Sequence, residues 1–222
     1  MFYKKIANII EFITPTFFLK FLLFFWGFFF KYHKSFSQKG EDLIILSYFQ
    51  GLNITKGVYL DIGCFHPTWI SNTHLLHKEG WTGYAIDIDK YKLKAMKFVR
   101  GRNIECINGA VTPNTKDDEI VKVFKFKKAW SDFDTLDKNH ADMIKYEFKI
   151  DYQEKMINSI YINNLFSKLP HINFLNVDIE GLDKEVILNL DLEKYKPDVI
   201  VLEDNVWGGS EEINKKMNKN DY

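Results

Sequence analysis

The stretch GVYLDIGCFHPTWISNTHLLHKEGWTGYAIDID, Gly57 to Asp89, decides how this chain folds. Its opening GVYLDIG is a short apolar run that ends in Asp61 and Gly63 at a turn, the pattern of a buried strand. SNTHLLHKEG reads as a helix stopped at Gly80, since glycine takes up the left-handed conformation that ends helices. GYAIDID is a second strand. A turn after such a strand commonly holds a dinucleotide pyrophosphate, and it then needs several glycines so that backbone N–H groups can reach the phosphates. Here Gly63 stands alone, Phe65 and Pro67 fill the later positions, and Pro67 removes a donor. That argues against NAD or ATP.

Outward from this stretch the alternation continues. SQKGEDLIILSYFQ has a polar start, acids in its first turn and apolar positions at helical spacing. YKLKAMKFVRGR is the next helix and IECINGAV the third strand. EIVKVFKFK alternates as a half-exposed strand should. Asp132 to Met156 is polar and poorly periodic, and reads as loop and short helix. SIYINNLFSKL resembles a helix before the apolar strand INFLNVDI. KEVILNLDLEKY is a further helix and PDVIVLED the last strand. The order implies a mostly parallel sheet covered on both faces, with ligands beyond the C-terminal strand ends. Those ends carry Asp61, Gly63, Asp87, Asp89, Asn108, Ala110, Asp178, Glu180, Glu203 and Asp204.

A cofactor without phosphate asks less of the Asp61–Gly63 turn. S-adenosylmethionine (SAM) is one: a cationic sulfonium, an amino-acid end, a ribose and an adenine. Asp61 could face the positive end, and Gly63 could let the backbone pass close to it. Asp87, 26 residues after Asp61, could accept hydrogen bonds from two ribose hydroxyls. The segment NGAV, with Asn108, Ala110 and Val111, could border the adenine.

Together SQKGEDLII, the Gly57–Asp89 stretch and FLNVDIEGLDKEVI resemble the FkbM-type SAM-dependent methyltransferases. The shared pattern is a Ser-Gln-Glu-Asp opening, Asp-x-Gly-x-x-x-Pro with Ser-Asn-Thr, Gly-Trp-x-Gly before the second strand and a late Asp-x-Glu-Gly. The likeness runs from about Ser37 to Glu203. It implies a class I methyltransferase fold, Rossmann-like, and transfer of a methyl group to oxygen, commonly on a sugar or polyketide hydroxyl. Carried over, it puts Asp61 and Gly63 beside the methionine portion of SAM and Asp87 at the ribose. Asn108, Ala110 and Val111 fall near the adenine, and Asp178 and Glu180 at the reacting centre. Ser71, Asn72 and Thr73 cap the following helix or border the pocket.

A sugar hydroxyl is poorly acidic, so a general base should help. Asp178, Glu180 and His66 are the candidates, and the sequence does not choose among them. No metal-ligand spacing is strong; Asp178 and Glu180 are the pair a divalent ion would use. Structural roles compete with each assignment. Asp61 could cap a helix, His66 could be a loop residue, and Glu180 could serve a helix start. Trp69 and Trp81 read as packing residues.

Thirty basic and thirty acidic side chains cancel over 222 residues, which excludes bulk nucleic-acid binding. Cys64 and Cys106 fit no metal spacing and suit a reducing compartment. Nine of the twenty phenylalanines lie between Phe12 and Phe30. The purest run, Thr16 to Phe30, would span about 22 Å as a helix against a hydrocarbon core of about 30 Å. Residues 1–31 are therefore expected to be an apolar helix, with membrane association through residues 6–30. Lys31, Lys34 and Lys39 place the domain on the cytoplasmic side. Residues 32–204 are the methyltransferase domain and 205–222 a polar tail without a convincing strand.

Class I methyltransferases usually add two antiparallel strands after the fifth, and since 205–222 shows no convincing strand these are expected to be lacking here. The fifth strand would be left as an edge, to be covered by the N-terminal segment or by an oligomer partner. Three readings follow. The first is an O-methyltransferase of a glycan or related surface-carbohydrate precursor, in a bacterial setting. The second is a catalytically inactive binding protein that keeps the fold. The third is a glycosyltransferase using Asp87-Ile-Asp89 as a metal motif.

Overall fold

The computed structural model describes residues 34–113, 116, 119–127, 131–203 and 210–222. The Phe-rich segment lies outside the described residues, and with it the expected N-terminal helix. Among the described residues no helix is long and apolar enough to cross a membrane. Residues 36–222 form one compact unit.

The elements in chain order are α1 (Glu41–Gly51), β1 (Val58–Ile62), α2 (His74–Lys78), β2 (Thr82–Asp87), α3 (Lys90–Arg100), β3 (Ile104–Asn108), β4 (Ala110–Thr112) and β5 (Ile120–Phe126). There follow α4 (Lys138–Phe148), β6 (Tyr152–Tyr161), α5 (Ile162–Lys168), β7 (Phe174–Val177), α6 (Asp183–Asn189), β8 (Val199–Leu202) and α7 (Glu211–Lys219). Five parallel strands form the main sheet in the order β3-β2-β1-β7-β8. The order reverses at β1, whose two neighbours are β2 and β7, and the crevice beyond that point is where open α/β sheets bind ligands. The expected Rossmann-like α/β sheet is therefore present. Among the described residues no strand follows β8, whose four residues are half-buried at the sheet edge.

Strand periodicity distributes the core. In β1, Tyr59 points to one face with Phe49, Leu76, Trp81, Met96 and Phe174. Leu60 and Ile62 point to the other with Ile86, Leu175, Val177, Val186 and Ile187. Helices α1, α2 and α3 thus cover one face, and α5, α6 and α7 the other. The opening of α1 is fixed by Ser37, whose Oγ accepts the N–H groups of Gly40 and Asp42 at 3.1 and 3.3 Å.

Five sequence readings need correction. IECINGAV is two strands, not one: the chain turns at Gly109, and β4 leaves the main sheet to pair with β6. Asp132–Met156 contains an eleven-residue helix and the start of a ten-residue strand. That strand, β6, pairs antiparallel with β5, and its exposed charged positions hide any alternation. SIYINNLFSKL begins as the end of β6 and turns helical only at Ile162. The polar tail contains α7. Ser210 Oγ accepts Ile213 N, Glu211 and Glu212 stand in the first turn, and Lys216 Nζ donates to the carbonyls of Leu188 and Leu190 at the end of α6. Trp81 is fully buried as a packing residue, but Trp69 is 61% exposed.

The insert between β4 and α5 has its own small core, in which Phe124 and Phe126 of β5 pack against Ala141 and Ile144 of α4. It places Asp132, Phe133, Asp134 and Leu136 along the C-terminal edge of the main sheet.

Candidate active site

A cavity of about 310 Å³ opens beyond the ends of β1, β2, β7 and β8. Eight carboxylates line it, against one basic side chain among the described residues, Lys92. Its interior therefore favours cations.

Asp61, near the end of β1, is 3% exposed. One carboxylate oxygen accepts Thr73 Oγ1 at 2.6 Å and the other accepts Asn176 Nδ2 at 3.0 Å. Asn72 Nδ2 in turn donates to Asn176 Oδ1 at 2.9 Å. Burial raises the Asp61 pKa; the Arg100 charge and the hydrogen bonds from Thr73 and Asn176 oppose it. Asp61 is not a helix cap. Thr73, at the N-cap of α2, instead spends its hydroxyl on Asp61.

Gly63 has φ +82°, and a Cβ there would overlap the backbone carbonyl of Asp178. The residue must be glycine because β1 and β7 converge at this turn, whatever ligand lies beyond. Asp87 is 6% exposed; its Oδ1 accepts Asp89 N at 2.6 Å and its Oδ2 lies 3.8 Å from Lys92 Nζ. Burial pushes its pKa up to about 6, against the pull of Lys92. Gly109, Ala110 and Val111 add to the lining.

Asp178 and Glu180 follow β7, and Glu203 follows β8. Carboxylate oxygens of the three lie within 4.8 Å of one another, a donor set of the kind a divalent cation takes. The Asp178 carboxyl is open to the cavity yet enclosed by protein behind it. Desolvation, then the charges of Asp183, Glu203 and Asp61, push it up to about 7. Glu180 is pushed up to about 8 by desolvation and then by Asp178 and Glu203. Glu180 also holds φ +56°, a conformation that costs a non-glycine residue about 1–3 kcal/mol. The turn is over-determined. Thr135 Oγ1 donates to Glu180 O at 2.5 Å, and Asp183 accepts the N–H groups of Ile179 and Gly181 at 2.8 and 3.1 Å. His140 Nε2 stands 3.3 Å from Glu180 Oε2, in a geometry that is not a hydrogen bond.

Of the sequence-predicted residues, Asp61, Gly63, Asp87, Ala110, Val111, Asp178 and Glu180 line this one cavity. Asn108 and His66 do not. Asn108 Nδ2 donates to the Asp87 carbonyl and ties β3 to β2. His66 Nδ1 accepts the backbone N–H groups of Thr68 and Trp69 at 3.2 and 3.0 Å and so closes its own loop. Both residues therefore hold backbone in place. Gln38 and Glu41 are cavity residues that the reading left unassigned, although they lie in the SQKGED opening it quoted. Asp132, Asp134 and His140 were missed because only the β5–β6 pairing delivers them.

A family model described as the methyltransferase FkbM domain matches residues 56–222. The chain belongs to that family and is a methyltransferase. No curated protein and no solved structure matches the chain. The glycosyltransferase reading fails on the site as well. Asp89 is committed elsewhere: it caps α3 through Tyr91 N and binds Lys125 Nζ at 2.6 Å.

Proposed function

We propose that this chain is a SAM-dependent O-methyltransferase that methylates a hydroxyl of a glycan or related surface-carbohydrate precursor. The observation that carries the reading is one cavity with carboxylates at both ends. Asp61 and Asp87 stand beside the β1 turn, and Asp178 and Glu180 at the far strand ends. The lining suits SAM by charge. Carboxylates would face the sulfonium and ammonium groups, Asp87 ends β2 where ribose hydroxyls would sit, and Ala110 and Val111 would offer apolar surface for adenine. When bound, SAM supplies a methyl group that is already electrophilic.

The chain's own residues do the rest. Asp61 and Asp87 orient the cofactor. Asp178 or Glu180 accepts the one proton of the acceptor hydroxyl, and Asp178, pushed up to about 7, is the better matched to that work at neutral pH, where Glu180, pushed up to about 8, is mostly protonated. His66 is not the base, because its Nδ1 is held by its own loop. The Phe-rich residues 6–30 are part of the same proposal, as a tether that holds the domain at the cytoplasmic face of a membrane.

The test is methyl transfer from SAM to a panel of neutral and amino sugars, free and lipid-linked, read as the mass gain of one methylene. Transfer that is abolished in Asp178→Asn supports the reading. SAM binding with transfer only to a non-carbohydrate acceptor would overturn the glycan assignment.

A further inference from the structure

We infer that Arg100, a helix residue that does not line the cavity, is a positioning residue for Asp61 and for the loop that closes the cofactor end. Arg100 ends α3 and is 3% exposed. Its Nη1 donates to Thr73 Oγ1 at 2.8 Å and to Tyr59 Oη at 3.1 Å. Its Nη2 donates to Ser71 Oγ at 2.8 Å and Pro67 O at 3.0 Å, and Nε reaches Pro67 O at 3.2 Å. The planar fork therefore grips three points of the loop 67–73 and one of β1.

Thr73 is the link. Its hydroxyl accepts from Arg100 and donates its own hydrogen bond to Asp61 at 2.6 Å. With the hydroxyl's donor committed to it, the Asp61 carboxylate is held in one rotamer as an acceptor. A lysine could supply charge but not this fork. Pro67, which removes a backbone donor from the loop, instead supplies the carbonyl that Arg100 holds. The unusual His66-Pro67 turn is thereby explained by what binds it from behind.

The arrangement has an electrostatic consequence. Asp61 is buried and its pKa is raised; Arg100 is the largest influence opposing that rise. Around Asp61 stand Tyr59 on its own strand, Cys64 on the turn and Asp178 beyond β7, and none of these is a cation. His74 and His77 on α2 face Arg100, and burial lowers both. Removing Arg100 therefore moves Asp61 toward its neutral form and weakens the site for a cationic ligand. The ligand part of this inference rests on the SAM reading.

The test follows the Asp61 carboxyl by carbon NMR on aspartate-labelled full-length protein, assigned by loss of the signal in Asp61→Asn. S-adenosylhomocysteine (SAH) affinity is measured in parallel across pH. In Arg100→Met the Asp61 titration is expected to move to higher pH, and SAH affinity near pH 7 to fall about tenfold or more, as for loss of hydrogen bonding to a charged group. Arg100→Lys should recover part of both. If Arg100→Met does not fold, Thr73→Val cuts the hydroxyl link alone and should shift both readouts the same way, by less. A folded Arg100→Met, or Thr73→Val in its place, with wild-type titration and wild-type pH dependence of binding would overturn the inference. If the wild-type protein itself fails to bind SAH, the SAM reading fails, and the Asp61 titration still decides the role of Arg100.

Discussion

The two ends of the cavity are built on opposite terms. At the β1 end the carboxylate is answered by a chain of hydrogen bonds: Asp61 has Thr73 and Asn176, Asn176 has Asn72, and Arg100 locks the loop from behind. At the β7–β8 end carboxylates crowd one another. Asp178, Glu180 and Glu203 lie together, Asp178 and Glu180 hold protons more tightly than ordinary carboxylates, and Glu180 sits in a strained conformation. The first end looks made to hold a ligand in one pose. The second stores unfavourable energy that a proton, a cation or a bound cofactor would relieve. Concentrating strain where chemistry happens is the usual trade of stability for activity.

The largest expected effect breaks the boundary between these ends. Gly63→Ala forces a methyl group into the Asp178 carbonyl at a positive φ. It should cost more than about 4 kcal/mol, since neither backbone can move without unpairing β1 from β7. Chemical denaturation reads this directly, and near-wild-type stability would mean that the strands do not converge there.

Next comes a split between binding and turnover. Asp178→Asn should lower kcat by about 10²–10⁴, the usual worth of a general base, with SAH affinity changed less than about threefold. Asp61→Asn should do the reverse and lose binding first. Equal losses of both quantities in both variants would dissolve the distinction between the ends.

The third expectation concerns pH. Asp87, Asp178 and Glu180 titrate near 6, 7 and 8 in the folded protein, above their ordinary values near 4. The folded state thus holds protons that the unfolded chain has released. Their contribution is full below about pH 4 and is lost as pH rises through about 8. Thermal unfolding without ligand should show falling stability from pH 5 to pH 8.5, and Asp178→Asn should flatten the fall. Turnover should run the other way and rise over pH 6–8. A ligand-free stability maximum at pH 8 would contradict the reading of the reacting end.

The smallest expected effect is at His66. Its role in its own loop predicts that His66→Ala changes kcat less than about threefold, within the range of a loop hydrogen bond. A loss of a hundredfold would restore it as a base.

The parts of this molecule that were legible in sequence are the ones encoded locally. β1, α2 and β2 announce themselves through short apolar runs and a glycine stop, and Asp61, Gly63 and Asp87 lie at their ends. Asp178 and Glu180 could be placed because they close a similarly apolar strand. What stayed hidden depends on distant pairing. β6 is exposed along most of its first half, so it shows no clear alternation, and it becomes a strand through its pairing with β5 and β4. Through that pairing the insert brings Asp132, Asp134 and His140 to the site. Glu203 joins Asp178 and Glu180 only across the β7–β8 ladder, so no local spacing reveals the three-carboxylate group. Arg100 lies 39 residues from Asp61 in a helix that reads as ordinary surface, yet it is buried. α7 is encoded locally, through Ser210 at its N-cap and Glu211 and Glu212 in its first turn, although its polar composition disguises it.

The most direct test of the central claim is calorimetric titration of the full-length protein with SAH at pH 7.5, alongside Asp87→Ala. The expected result is one-site binding by the wild type that is lost or weakened more than about tenfold in the variant, as for removal of a charged hydrogen-bond acceptor from a buried site. No heat of binding from a demonstrably folded wild-type protein would contradict it.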